Sequence, residues 1–239
     1  MLQVKDVSAG YGKLQILTDV SLEAVPGELT IIVGPNGSGK STLLKTIAGL
    51  ANIYKGTVTM DDSRLSGHPA HVIARSGLAY LPQTESVFTQ LTVSENFKMA
   101  AYMVSRSEFE TRLKDSLDVF PQLKSYLGSR VVNLSGGERQ MVAMAMALLR
   151  KPKVIMFDEP TANLSPKYAT EVLKTIRSLG KDRGMTIVLV EQNAKRALEI
   201  GDRAYLLVGG RNAFIGSANE LLSHQELAKL YLGMKMAGA

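Results

Sequence analysis

Along the chain, short runs of β-branched and aliphatic residues alternate with segments whose apolar positions recur at helical spacing. That alternation predicts an α/β fold with a mostly parallel core sheet. Core strands are expected at Leu29–Val33, Leu78–Leu81, Val154–Asp158 and Thr186–Val190. Their nearly unbroken apolar character suits strands covered on both faces. Two stretches read as antiparallel pairs: Leu2–Val7 with Ile16–Glu23, and Arg203–Val208 with Asn212–Ile215, turning at Gly209-Gly210. From about Thr92 to Leu149 the pattern is helical only, with segments Val93–Met103, Glu108–Phe120 and a helix starting near Gly137. The chain is therefore expected to be a single domain over residues 1–239: an α/β core, an antiparallel β subdomain, and an inserted helical subdomain at about 88–149.

Composition narrows the chemistry. A chain of 239 residues is long enough to bury its own core, and 45% hydrophobic with 21% charged residues is ordinary for a globular protein. The absence of cysteine excludes disulfide scaffolds, thiolate metal sites and thiol nucleophiles. No stretch approaches the roughly 18 apolar residues of a membrane span. The start, Met1-Leu2-Gln3-Val4-Lys5-Asp6, has neither a basic leader nor an apolar stretch, so a cytoplasmic location is expected. The net charge of +6 is spread along the chain rather than blocked, and by itself selects no partner.

One motif carries the first functional reading. Gly34-Pro35-Asn36-Gly37-Ser38-Gly39-Lys40-Ser41 matches G-x-x-x-x-G-K-[ST] at every fixed position, between an apolar strand and the apolar helical run Thr42–Ile47. Glycines let backbone N–H groups turn inward around an anion, and the helix start adds unpaired donors and positive partial charge. Lys40 supplies a full charge for β/γ-phosphates, and the Ser41 hydroxyl can ligate Mg²⁺. An acidic partner is expected at the end of another strand. Asp158 ends the run Val154–Asp158, where it can hold Mg²⁺, and Glu159 follows, where a carboxylate can orient or deprotonate an attacking water. No Asn-Lys-x-Asp guanine reader is present.

A second anion site is written at Leu134-Ser135-Gly136-Gly137-Glu138-Arg139-Gln140, a hydroxyl and two glycines opening a helix. One nucleotide cannot easily use both sites of one chain, so two chains, each capping the other's ATP, are the economical arrangement.

With these residues the chain resembles the ATP-binding-cassette (ABC) family over nearly its whole length. The resemblance implies the P-loop ABC ATPase fold, with a mixed sheet, and hydrolysis of ATP with Mg²⁺. It implies that Tyr11 stacks on adenine, that residues 34–42 through Thr42 hold the phosphates, and that Gln83 reaches Mg²⁺ and the attacking water. It further implies that Ser135, Gly136, Gly137 and Glu138 close the partner's site. Two positions depart from the family pattern: Gln192 stands where a His is usual, and Ser165 where an Asp is usual. Gln192 can hold the γ-phosphate by a hydrogen bond but cannot titrate, so turnover is expected to vary little between pH 6 and 8. Glu159→Gln is expected to bind ATP, turn over slowly and trap a dimer. Met146 replaces a common Arg, and with Met141 and Met144 reads as core packing.

Val190-Glu191-Gln192-Asn193-Ala194 looks like one importer branch of the family, which serves branched-chain amino acids and relatives such as amides. Gly10-Tyr11-Gly12-Lys13, Ile73–Leu78, Val87–Val93, Leu164-Ser165-Pro166 and Tyr231-Leu232-Gly233 are similar to it, whereas Gln83 departs, since that branch often carries Glu there. The resemblance implies a peripheral subunit on the cytoplasmic side of the cell membrane. Its partners would be a second ABC ATPase subunit, integral membrane permease subunits and, for an importer, an extracytoplasmic substrate-binding protein; no nucleic acid is expected. Phe88 and Met99 are expected to line a groove for a permease helix. The alternatives are an ABC exporter subunit and a soluble, non-transport ABC ATPase.

Overall fold

The computed structural model describes residues 1–239 except 85, 103, 225, 228–230 and 232–239. In chain order the strands and helices are β1 (Leu2–Tyr11), β2 (Leu14–Ala24), β3 (Leu29–Val33), α1 (Lys40–Ile47), β4 (Asn52–Met60), β5 (Ser63–Arg64), α2 (Ala70–Arg75) and β6 (Leu78–Leu81). They continue with α3 (Val93–Ala100), α4 (Arg106–Val119), α5 (Gly136–Leu149), β7 (Val154–Asp158), α6 (Pro166–Lys181) and β8 (Thr186–Val190). The last are α7 (Ala194–Ile200), β9 (Arg203–Val208), β10 (Arg211–Ser217) and α8 (Ala218–Ser223). Two short 3₁₀ turns, Pro121–Tyr126 and Val131–Asn133, join α4 to α5.

Six strands form the core sheet in the order β10-β9-β3-β8-β7-β6, parallel throughout except for the β9–β10 hairpin. The four predicted core strands and the C-terminal hairpin are all present. Their continuous apolar runs are explained by two covered faces. Ile31, Ile155, Phe157, Ile187 and Leu189 pack beneath α5, α6 and α7 together with the helical segment's Phe97, Phe120 and Leu123. Ile32, Met156, Val188 and Val190 point the other way, against Leu43, Leu44 and Ile47 of α1 and the inner face of a second sheet. Each fully buried aliphatic or aromatic side chain of this kind contributes roughly 1.5–3 kcal/mol.

The second sheet corrects the sequence expectation in extent. The N-terminal antiparallel pair is there, but it belongs to a four-stranded sheet, β2-β1-β4-β5, and two of its strands were not foreseen. The helical segment follows prediction closely. α3 ends at Ala100 rather than reaching Met103, which lies outside the described residues, as do Leu232 and Gly233 of the terminal Tyr231-Leu232-Gly233. Helices α3, α5 and α8 each begin with a reciprocal capping box, Thr92 with Glu95, Ser135 with Glu138 and Ser217 with Glu220. Among the described residues no helix is long and apolar enough to cross a membrane.

Strand order positions the functional residues. At the carboxyl edge of a parallel sheet, β3 leads into the Gly34–Ser41 loop, β7 into Asp158 and Glu159, β8 into Glu191 and Gln192, and β6 into Gln83. Because β8 lies between β3 and β7, Gln192 stands between the phosphate loop and Glu159.

Candidate nucleotide site

The loop 34–41 wraps the start of α1. Gly39 caps that helix at φ +98°, in the left-handed region that glycine enters freely, and a Cβ there would meet Leu17 Cδ2 at 2.6 Å. Lys40, 5% exposed, turns its ammonium back to the carbonyls of Gly34 (2.9 Å) and Pro35 (3.0 Å). Burial pulls its pKa down, and the negative charges of Glu159 and Asp158 oppose that pull. Ser38 Oγ is buried and has no hydrogen-bond partner among the described residues. An unsatisfied hydroxyl in a glycine-rich loop is able to donate to an anion. The loop is braced from a distant part of the chain: Gly210 N donates to Ser38 O (3.1 Å) and Gly210 O accepts from Thr18 N (2.8 Å). The Gly209-Gly210 turn thus packs between β2 and the loop, a role its sequence did not signal.

Asp158 meets the loop at Ser41, and Glu159 meets Gln83. Ser41 Oγ donates to Asp158 Oδ1 at 2.9 Å, and Tyr80 Oη donates to Asp158 Oδ2 at 3.0 Å. Gln83 Nε2 donates to Glu159 Oε2 at 3.1 Å. Glu159 itself sits at φ +48°, a strained conformation for a residue with a side chain, anchored by its N–H to Val190 O (2.9 Å). A cavity of about 470 Å³ is lined by Ile16, Asn36, Gly37, Gly39, Lys40, Ser41, Thr42, Gln83, Glu159 and Gln192. Of the site residues read from sequence, this cavity brings together Asn36, Gly37, Gly39, Lys40, Ser41, Thr42, Gln83, Glu159 and Gln192, whereas Gly34, Pro35, Ser38 and Asp158 do not line it. Tyr11 stands apart at the end of β1, 41% exposed, and Ile16 instead lines the cavity. The β1–β2 turn beside Tyr11 is held by Tyr54, whose hydroxyl donates to Gly12 O at 2.9 Å.

A neighbouring cavity of about 410 Å³ shares Glu159 and Gln192 and includes Thr161, Asn163, Leu164 and Glu191. Glu191, only 3% exposed, accepts Thr161 N–H at 3.1 Å. Burial raises its pKa above the ordinary carboxylate value, the Thr161 and Gln192 hydrogen bonds work against this, and Glu159 adds to it. Sequence reasoning passed over this carboxylate, although Val190-Glu191-Gln192 places an acid directly at a buried strand end.

The second anion corner lies at the start of α5. Ser135 Oγ accepts from Glu138 N (3.3 Å), and Glu138 Oε2 accepts from Ser135 N (2.7 Å). The Ser135 N–H, with further hydrogen bonds from Tyr126 and the Ser135 hydroxyl, holds the Glu138 carboxyl below the usual range. One donor of the corner is therefore already taken by its own carboxylate, leaving the Gly136 and Gly137 N–H groups as the open part. Gly137 lies against Tyr168 of α6, where a Cβ would come within 2.8 Å of the ring.

Between β6 and helices α3 and α5 runs a cleft of about 310 Å³ lined by Leu81, Pro82, Met99, Tyr102, Met146 and Arg150, among others. Met99 lines it, whereas Phe88, 50% exposed, does not. Phe88 is instead tethered by the fully buried Asn96, whose side chain takes Phe88 N–H (2.8 Å) and donates to Phe88 O (2.9 Å). Met141 and Met144 are buried in the core, and Met146 is half-buried at the cleft.

Residues 17–162 match the family model described as ABC transporter. The chain is 51% identical over 234 residues to a probable branched-chain amino acid transport ATP-binding protein, LivF, of Archaeoglobus fulgidus, covering 98% of this chain and 99% of the relative. It is 38% identical over 233 residues to the high-affinity branched-chain amino acid transport ATP-binding protein BraG of Pseudomonas aeruginosa, covering 98% and 100%. Its fold superposes with TM-score 0.79 on the cassette MJ0796, solved as a dimer in a post-hydrolysis state with ADP and Pi. That match has 26% identity and covers 91% of this chain and 99% of the other.

Proposed function

Since the chain belongs to the ABC transporter family, as one of its ATP-binding and ATP-hydrolysing subunits, we propose that it powers the import of branched-chain or closely related amino acids. The observation that carries this reading is the 51% identity to a branched-chain amino acid transport subunit over almost the full length of both chains.

In this reading ATP lays its adenine on Tyr11 and its phosphates in the 34–42 loop, where backbone N–H groups, the orphaned Ser38 hydroxyl and Lys40 receive them. The oxygen donors Ser41, Gln83 and Asp158 are the hard ligands that Mg²⁺ selects. Mg²⁺ held there supplies neutralising charge to the phosphates. Glu159, set by its strained backbone and by Gln83, orients the attacking water and takes its proton, while Gln192 holds the γ-phosphate. Positioning and electrostatics do most of the work in such a transfer. Gly136 and Gly137 of a second cassette complete the site. The cleft carrying Met99 and Tyr102 receives a permease helix, which places the subunit on the cytoplasmic side of the membrane. An extracytoplasmic binding protein delivers the amino acid.

Uptake of radiolabelled leucine, isoleucine and valine into cells or vesicles carrying the assembled transporter tests this. Lys40→Ala is expected to lower uptake by more than about tenfold, since it removes a charged contact to the transferring group. Unchanged uptake, or purification of the chain with an export machinery in place of a permease, would reject the import reading.

A further inference from the structure

We propose that Tyr80 is a positioning residue for the metal-facing carboxylate: its hydroxyl fixes Asp158 Oδ2, so that Oδ1 stays aimed at Ser41 and the cation. The inference rests on the reading of Asp158 as part of the Mg²⁺ site, and extends it to a residue outside every motif.

The geometry follows from the sheet. β6 and β7 pair in parallel with Tyr80 opposite Met156. Met156 and Asp158 are two residues apart on one strand and so share a face, and Tyr80 lies on that face too. From there its side chain reaches the end of the neighbouring strand, where its hydroxyl donates to Asp158 Oδ2 at 3.0 Å. Asp158 is 4% exposed, so its charge has little water to turn to. Among the described residues, two hydroxyls donate to it, Ser41 on one oxygen and Tyr80 on the other. In the proposed function Ser41 has a second task, because its hydroxyl would also help hold the phosphates and the cation. Tyr80 has none, and its contact is free to persist when Ser41 reorients. Tyr80 also stands three residues before Gln83, so the edge strand that delivers Gln83 is tied to the same carboxylate.

A merely structural tyrosine would contribute through its ring, which packs against the second core. Tyr80→Phe keeps that ring and removes only the hydroxyl. The full chain and its Tyr80→Phe and Asp158→Asn variants would be compared by Mn²⁺ binding, read by electron paramagnetic resonance with a non-hydrolysable ATP analogue. Nucleotide affinity in EDTA and melting temperature would be measured alongside. Losing one hydrogen bond to a charged group is expected to weaken Mn²⁺ binding by about 5- to 20-fold in Tyr80→Phe, with metal-free nucleotide affinity held. Tyr80→His, which returns a donor, should recover part of the loss. If Tyr80→Phe binds Mn²⁺ like the wild type while Asp158→Asn does not, the role assigned to Tyr80 is overturned. If metal-free nucleotide binding falls equally, Tyr80 is only structural. If Asp158→Asn is also without effect, the metal reading itself fails.

Discussion

Glu159 and Glu191 lie near each other and are held by opposite means. Glu159 faces the phosphate cavity from a strained left-handed backbone, whereas Glu191 is sealed into the protein and clamps the next loop through Thr161 N–H. A carboxyl whose pKa is raised on folding binds its proton more tightly in the native than in the unfolded state. Its contribution is present below the ordinary carboxylate pKa and is lost as pH rises through the raised value. Once pH exceeds the raised value the protein carries a buried charge that Glu191→Gln would remove while keeping an oxygen for Thr161. That variant is expected to gain melting temperature over wild type as pH rises through the raised value, with the gain shrinking toward zero below the ordinary carboxylate range. An offset independent of pH would show that the charge is not the cause. The motif residues of the phosphate loop, Asp158 and the Ser135 corner were legible because their chemistry demands fixed residue types at fixed spacing. Glu191, Tyr80 and Ile16 were not, because their roles come from strand pairing that brings distant segments together.

The core strands could be read from sequence because burial on both faces leaves no polar positions to blur them. β4 could not. Of its nine residues only Val58 and Met60 are buried, and Tyr54-Lys55-Gly56 breaks the alternation where the register against β1 shifts. Helix α6 is fastened by a contact that no pattern announces. Arg177 grips both oxygens of Asp202, Asp202 Oδ2 also accepts Leu29 N–H at 2.8 Å, and Asp202 O accepts Ala218 N–H at 3.0 Å. Asp202 thus joins α6, β3 and α8. Burial pushes the Asp202 pKa up, but Arg177 and the Leu29 N–H outweigh it and leave it lowered. A lowered carboxyl stabilises above its unfolded pKa and loses that contribution as pH falls through the folded value. Asp202→Ala is expected to cost about 1–2 kcal/mol in urea unfolding at pH 7, after discounting for partial exposure. The cost should fall as pH drops below the ordinary Asp range; equal cost at pH 7 and pH 3 would mean the ion pair is not its source.

At the scale of the molecule, the two segments read as anion sites stand at separate places, the loop at β3–α1 and the corner at the start of α5. The expectation of a paired assembly came from reading both as parts of one nucleotide site. The corner's partial occupation by Glu138 was visible only once α5 had folded around its capping box. If the proposed permease helix seats in the cleft beside β6, its motion would reach Tyr80, which lines the cleft and hydrogen-bonds Asp158. The most direct test is the mass of Glu159→Gln in solution with saturating ATP and Mg²⁺, by light scattering, alone and co-expressed with any sister cassette of its transporter. A two-cassette particle is expected that forms with ATP and dissolves when Gly136 is replaced by a bulky residue. A single-chain mass at saturating nucleotide under both conditions would contradict it.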